Sequence, residues 1–158
     1  MLVGLPGSGK STVGPLLASR LGCSFVDLDT QIEHETGLAV SEIFARRGES
    51  EFRRIESELT ARLASQPDLV LSAGGGWMLR NTLPAALTVW LQVDPDEAAM
   101  RLSEHAARRP LLQPDPLQRL QELLAERAPV YERADVHLNT NGKTPAAVAD
   151  EIAAALEM

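Results

Sequence analysis

The strongest constraint in this chain lies at its beginning. Gly4-Leu5-Pro6-Gly7-Ser8-Gly9-Lys10-Ser11 matches GxxxxGK[ST] at every fixed position. It sits between the apolar pair Leu2-Val3 and a helical pattern from Ser11 to Leu21 that Gly22 closes. Such a loop needs a strand to deliver it and a helix to receive it. Glycines let the backbone turn its amide N–H groups inward, and the start of the helix adds partial positive charge, which makes a cradle for phosphate oxygens. Gly7, Ser8, Gly9, Lys10, Ser11 and Thr12 are therefore candidate nucleotide contacts. Lys10 would reach the β- and γ-phosphates and the Ser11 hydroxyl would bind Mg²⁺. The ligand class is a nucleoside triphosphate. Gly14-Pro15 falls early in the helix, and proline there deletes the bond to the Ser11 carbonyl, so a kink or loosened turn is expected.

The remainder alternates short strand-like runs with longer helical ones, the pattern of parallel βαβ units. Ser24 to Leu28 reads as a strand with Asp27 and Asp29 at its C-terminal end, two apart and so on one face. Thr30 to Glu35 is helical and stops near Gly37. Ser41 is the N-cap expected for a short helix through Ile43, Phe44 and Arg47. From Glu49 to Ala64 the apolar positions Phe52, Ile55, Leu59 and Leu63 recur on one helical face. Leu69 to Ala73 and Thr88 to Val93 are further strands. Asp94-Pro95 opens a helix to about His105. The stretch 105–117 holds two arginines and three prolines and is irregular. Leu117 to Tyr131 is helical with Pro129 disturbing its last turn. Val136 to Leu138 is a fifth strand, and Thr144-Pro145 opens a last helix.

Length and charge narrow the partners. One domain accommodates 158 residues, and 44% apolar with 23% charged residues is ordinary for a globular protein. No apolar run is long enough to span a membrane. The single cysteine, Cys23, precludes an internal disulfide, and the expected setting is a reducing cytoplasm. Fifteen bases against 22 acids leave a net charge of −7, the wrong sign for a nucleic-acid-backbone binder. Lys10 and Lys143 are the two lysines, so 13 of the 15 bases are arginine. One of those two lysines stands inside the glycine loop.

A phosphate loop alone serves switches, motors and small-molecule kinases alike. A guanine-reading NKxD is missing: the nearest stretch, Asn141-Gly142-Lys143-Thr144, has neither its order nor its aspartate. Ser72-Ala73-Gly74-Gly75-Gly76 stands where a GTPase would carry DxxG. Four further segments point to a kinase with a second small-molecule site: Asp27-Leu28-Asp29, Phe52-Arg53-Arg54-Ile55-Glu56, Gly74-Gly75-Gly76 and Arg109-Pro110-Leu111-Leu112. With Arg127-Ala128-Pro129-Val130-Tyr131 they resemble, in order and spacing, the motifs of the shikimate kinases.

That resemblance implies an α/β, three-layer P-loop kinase fold, a five-stranded parallel sheet flanked by helices. It implies one domain over 1–158, with a substrate-binding helical region about 29–64 and a mobile lid about 105–117. The activity implied is ATP-dependent phosphorylation of the 3-hydroxyl of shikimate by a cytoplasmic monomer using Mg²⁺. A related gluconate or nucleotide kinase, and an inactive nucleotide-binding module, are the alternatives.

The family motifs place Asp29 against the substrate hydroxyls, and Asp27 beside Ser11 at the metal. Arg53 and Arg127 become a carboxylate clamp, since a guanidinium offers a carboxylate two parallel hydrogen bonds and a lysine does not. Read alone, Arg53 is a helix-surface arginine pairing with Glu49 or Glu56, and Arg127 a solvated one. Arg54 is left as surface or support. Gly74, Gly75 and Gly76 would bring backbone N–H groups to the substrate. Arg109 is the lid arginine, a catalytic and nucleotide contact that arrives on closure. Ser72 sits at a strand end where an acid is common. Leu102 departs from the family, which often has an adenine-stacking arginine there; Arg101 is one position away. The segment from Asn139 to Pro145 is expected to close the other side of the base.

Overall fold

The computed structural model describes residues 1–73, 86–104 and 115–157. Along the chain run β1 (Leu2–Val3), α1 (Lys10–Leu21), β2 (Ser24–Asp27), α2 (Leu28–Thr36), α3 (Val40–Ala64), β3 (Leu69–Ser72), β4 (Val89–Gln92), α4 (Pro95–Ser103), α5 (Pro116–Tyr131), β5 (Val136–Asn139) and α6 (Pro145–Leu156). The strands form one parallel five-stranded sheet in the order β2-β3-β1-β4-β5. β1, though only two residues long, is central, with Leu2 opposite both Ser72 and Val89.

Alternation along the strands builds two cores. Leu2, Val70, Val89 and Leu91 face α1 and α6, where Val13, Leu17, Val148 and Ile152 complete one layer. Val3, Leu71 and Trp90 face the other way, against Leu28 and Ile32 of α2, Phe52, Leu59 and Leu63 of α3, Ala98 and Leu102 of α4, and Leu120, Leu123 and Tyr131 of α5. Helices thus cover both faces, the condition for an all-parallel sheet in water. Every strand runs toward the same edge. β1, flanked by β3 and β4, marks the point where the connections reverse direction, which is where ligands bind in this architecture.

Several expectations need correction. Asp27 and Asp29 do not share a strand face. β2 ends at Asp27, whose carboxylate accepts from the Thr30 N–H at 3.1 Å as the N-cap of α2, so Asp29 lies in that helix's first turn. Ser41 is not a cap: α3 begins at Val40, whose N–H goes to Glu33 Oε1 at 3.0 Å from the preceding helix. α3 is bent at Gly48 (φ 83°, ψ 166°), which separates the two helices read from the sequence. α1 continues through Pro15 without interruption, and α5 likewise through Pro129. Gly14, beside the first proline, is needed for a different reason, its contact with β2. A Cβ there would stand 2.1 Å from Phe25 Cε2 of β2, so helix and strand meet closer than any side chain permits. Thr144 behaves as read, accepting from the Ala147 N–H at 3.2 Å ahead of Pro145.

Candidate active site

The loop after β1 is held by its own backbone and by α4. Gly7 adopts φ 81°, and a Cβ there would stand 2.7 Å from the Ala98 carbonyl and 3.1 Å from Leu102 Cγ, so α4 forms the floor beneath the loop. Leu102, the departure from the family pattern, is buried in that floor. The Ser8 N–H closes a turn onto the Leu5 carbonyl at 3.0 Å, and Ser8 itself is buried. Gly9 is the N-cap of α1. Lys10 and Ser11 therefore present first-turn N–H groups, for which a helix has no backbone acceptor. Thr12 is exposed, and its N–H is engaged with the Gly9 carbonyl at 3.1 Å.

Lys10 folds back over its own loop. Its Nζ donates to the Gly4 carbonyl at 2.6 Å, the Leu5 carbonyl at 3.0 Å and Ser8 Oγ at 3.4 Å. The ammonium is thus held over the concavity that the loop encloses. Beside it the Ser11 hydroxyl donates to Asp27 Oδ2 at 3.0 Å, while Asp27 Oδ1 accepts from both the N–H and hydroxyl of Thr30. One hydroxyl and one carboxylate at hydrogen-bond distance, both hard oxygens, suit Mg²⁺, which keeps several waters and takes its other ligands from phosphate. Among the described residues no group of three or more His, Cys, Asp or Glu gathers as a metal cage. Ser72, buried at the end of β3, pairs in register with Asp27. Asp29 is half-buried in the first turn of α2, where the helix dipole favours its negative charge.

Arg53 and Arg127, the arginines expected to form a clamp, rise from helices that pack on the same core, α3 and α5. The Arg53 side chain is 21% exposed. Its Nη1 donates to Glu56 Oε1 at 2.9 Å, its Nε lies 3.7 Å from Glu49 Oε1, and its guanidinium sits 5.3 Å from the Phe52 ring centre. Glu56 is buried at 1% exposure, so the pair is more than a surface bridge. Arg127 is half-buried on α5, one turn before Tyr131. Burial pushes that phenol above its usual value, with the Arg127 charge opposing, so it stays neutral at ordinary pH. Both arginines keep a buried Nε without a hydrogen-bond partner. Arg54, left as surface or support in the sequence, is exposed and bridges Glu51 and Glu58. Gly74, Gly75, Gly76, Arg109 and most of the expected lid lie outside the described residues.

Sequence reasoning missed a second cluster. Arg101 Nη1 donates to the Gly7 carbonyl at 3.2 Å, the Ser8 carbonyl at 3.4 Å and Thr140 Oγ1 at 3.2 Å; its Nη2 reaches Glu97 Oε1 at 2.7 Å and the Thr140 carbonyl at 2.8 Å. The Gly142 N–H donates to both Glu97 oxygens, at 2.9 and 3.1 Å, and holds that carboxyl below its usual range, with Arg101 adding to the effect. The four-residue spacing of Glu97 and Arg101 was the available signal. At the opposite edge of the sheet a 350 Å³ cavity is lined mainly by apolar side chains, among them Leu2, Leu17, Leu21, Leu63, Leu87 and Leu156. It holds none of this chemistry.

A phosphate loop after the central strand of this sheet, with the aspartate that ends β2 set against its serine, defines a P-loop kinase. The family model for shikimate kinase matches residues 6–157. A shikimate kinase of Moorella thermoacetica is 46% identical, covering 99% of this chain and 93% of its own. Among solved structures, a shikimate kinase from Bacteroides thetaiotaomicron superposes with a TM-score of 0.92 at 30% identity, covering 99% of this chain and 97% of its own. One from Acinetobacter baumannii, in complex with shikimate, gives 0.88 at 34%, covering 99% and 90%. The chain belongs to the shikimate kinase family. No described helix is long and apolar enough to cross a membrane.

Proposed function

We propose that this protein transfers the γ-phosphoryl group of Mg-ATP to the 3-hydroxyl of shikimate, giving shikimate 3-phosphate and ADP on the route to the aromatic amino acids. The supporting observation is the Lys10, Ser11 and Asp27 constellation at the switch-point edge, in a chain matching the shikimate kinase family over nearly its whole length. Lys10 leaves its carbonyl partners for the β- and γ-phosphates, joining the first-turn N–H groups of α1. Ser11 and Asp27 would hold Mg²⁺, which neutralises charge developing on the transferred group. Arg53 and Arg127 grip the substrate carboxylate, and Glu56 holds the Arg53 guanidinium in place. Asp29 accepts the proton of the attacking hydroxyl while the new O–P bond forms and the bond to the leaving ADP breaks.

Gly74 to Gly76 bring backbone N–H groups to the ring, and Arg109 supplies charge as the lid over 105–117 excludes water. Both roles follow from the motifs. The whole chain acts as one domain, a monomer in the cytoplasm. Phosphorus NMR of a reaction with shikimate and Mg-ATP tests this: a single new monoester at the 3-position is expected. Turnover with gluconate or a nucleoside monophosphate instead, or nucleotide binding with no product, contradicts it.

A further inference from the structure

We propose that Arg101 is a positioning residue for the nucleotide, tying the phosphate loop to the segment Thr140–Gly142 so that two walls of the nucleotide cleft are preset before binding. The proposal rests on the nucleotide reading of the loop given above. Three separate parts of the chain meet at this one guanidinium: the loop after β1, helix α4 that carries it, and the turn after β5. Both Nη2 hydrogens are committed, to Glu97 Oε1 and the Thr140 carbonyl. The Nη1 hydrogens are shared among Gly7, Ser8 and Thr140 oxygens at 3.2 to 3.4 Å.

The attachment points matter because peptides are planar and trans. Holding the Ser8 carbonyl from outside points the N–H of the same peptide, that of Gly9, to the opposite side. The Gly7 carbonyl belongs to the peptide of the Ser8 N–H, which closes the loop's own turn onto the Leu5 carbonyl at 3.0 Å, so this second contact braces that turn. Arg101 therefore orients the loop from behind, without touching phosphate. Its other hand holds the turn whose remaining bonds are equally complete. Thr140 Oγ1 donates to the Gln92 carbonyl at 2.9 Å, the Asp94 N–H reaches Asn141 Oδ1 at 2.9 Å, and Gly142 is held by Glu97. Glu97 thus neutralises Arg101 and fastens the same turn. Only a planar fork bridges acceptors in this arrangement; a lysine ammonium would supply the charge but not the span.

Preorganisation of this kind raises nucleotide affinity by removing an ordering cost on binding, and leaves the separate shikimate site alone. The test is calorimetric titration of Mg-ADP, with steady-state KM values for ATP and shikimate, on the native protein and on Arg101→Leu, Arg101→Lys, Glu97→Ala and the Arg101→Leu/Glu97→Ala double variant. Arg101→Leu is expected to weaken Mg-ADP about tenfold. Arg101→Lys recovers little of that loss, KM for shikimate stays within about twofold, and the double variant is no worse than Arg101→Leu alone. Should Arg101→Leu fail to fold, Arg101→Lys alone decides the matter. Unchanged Mg-ADP affinity, equal loss for both ligands, or full recovery by lysine overturns the proposal. A native protein that does not bind Mg-ADP overturns the functional reading itself and this inference with it.

Discussion

At the scale of single residues, the chemistry depends on how each charge is held. Arg53 shows why a simple deletion would mislead. Removing it takes the Arg53 ion pair from the buried Glu56 carboxylate, which is expected to destabilise the fold before any substrate is considered. Arg53→Lys keeps a positive charge beside Glu56 and removes the planar fork. That variant is expected to raise KM for shikimate roughly tenfold or more with KM for ATP unchanged. Unchanged KM for shikimate would remove Arg53 from the clamp. The sequence showed Arg53 but not its support. Glu56 sits three residues after Arg53, a spacing common on any helix. Only burial, 1% for Glu56, separates this partner from surface pairs such as Arg54 with Glu51 and Glu58.

Among elements, the contact of α1 with β2 aims the site. Phe25 fills the space over Gly14, and two residues later the chain reaches Asp27, opposite Ser11. Gly14→Ala forces a methyl into the Phe25 ring and is expected to destabilise by about 1–3 kcal/mol, seen as a lower urea midpoint at unchanged slope. Adding Phe25→Leu should recover part of that loss. A Gly14→Ala protein as stable as the native would show that the ring simply turns aside. Element identities and order were legible in the sequence because apolar periodicity and the Gly22, Gly37 and Thr144 signals agree with the tertiary packing. The misses were local competitions. Asp29 looked like a strand-end residue, but the Asp27 carboxylate captures the Thr30 N–H and starts the helix early. Ser41 looked like a cap, yet Glu33 had already taken that office from another helix. Both helices continue through their prolines, Pro15 after glycine and Pro129 after alanine, where proline alone argued for a disturbance.

For the molecule as a whole, the net charge of −7 describes the exterior, while Lys10, Arg53 and Arg101 serve local anionic or carbonyl partners. Stability couples to the site through Tyr131, the one tyrosine of the chain. Its folded phenol loses its proton above the ordinary value near 10, so the unfolded chain releases that proton first. Stability is then flat with respect to this group below pH 10 and falls as pH rises through the folded value. Ultraviolet difference absorbance should show one tyrosinate transition, shifted upward and accompanying loss of tertiary structure. Ordinary titration in a still-folded protein would contradict the burial. The phosphate loop gave the ligand class from sequence, but the Arg101 cluster joins residues 7, 8, 97, 101, 140 and 142, a juxtaposition only the fold creates. The central claim is tested most directly by coupled ADP release in the presence of Mg-ATP. The account predicts release that depends on added shikimate, saturates with it, and is lost in Lys10→Ala; shikimate-independent release, or none from folded protein, would contradict it.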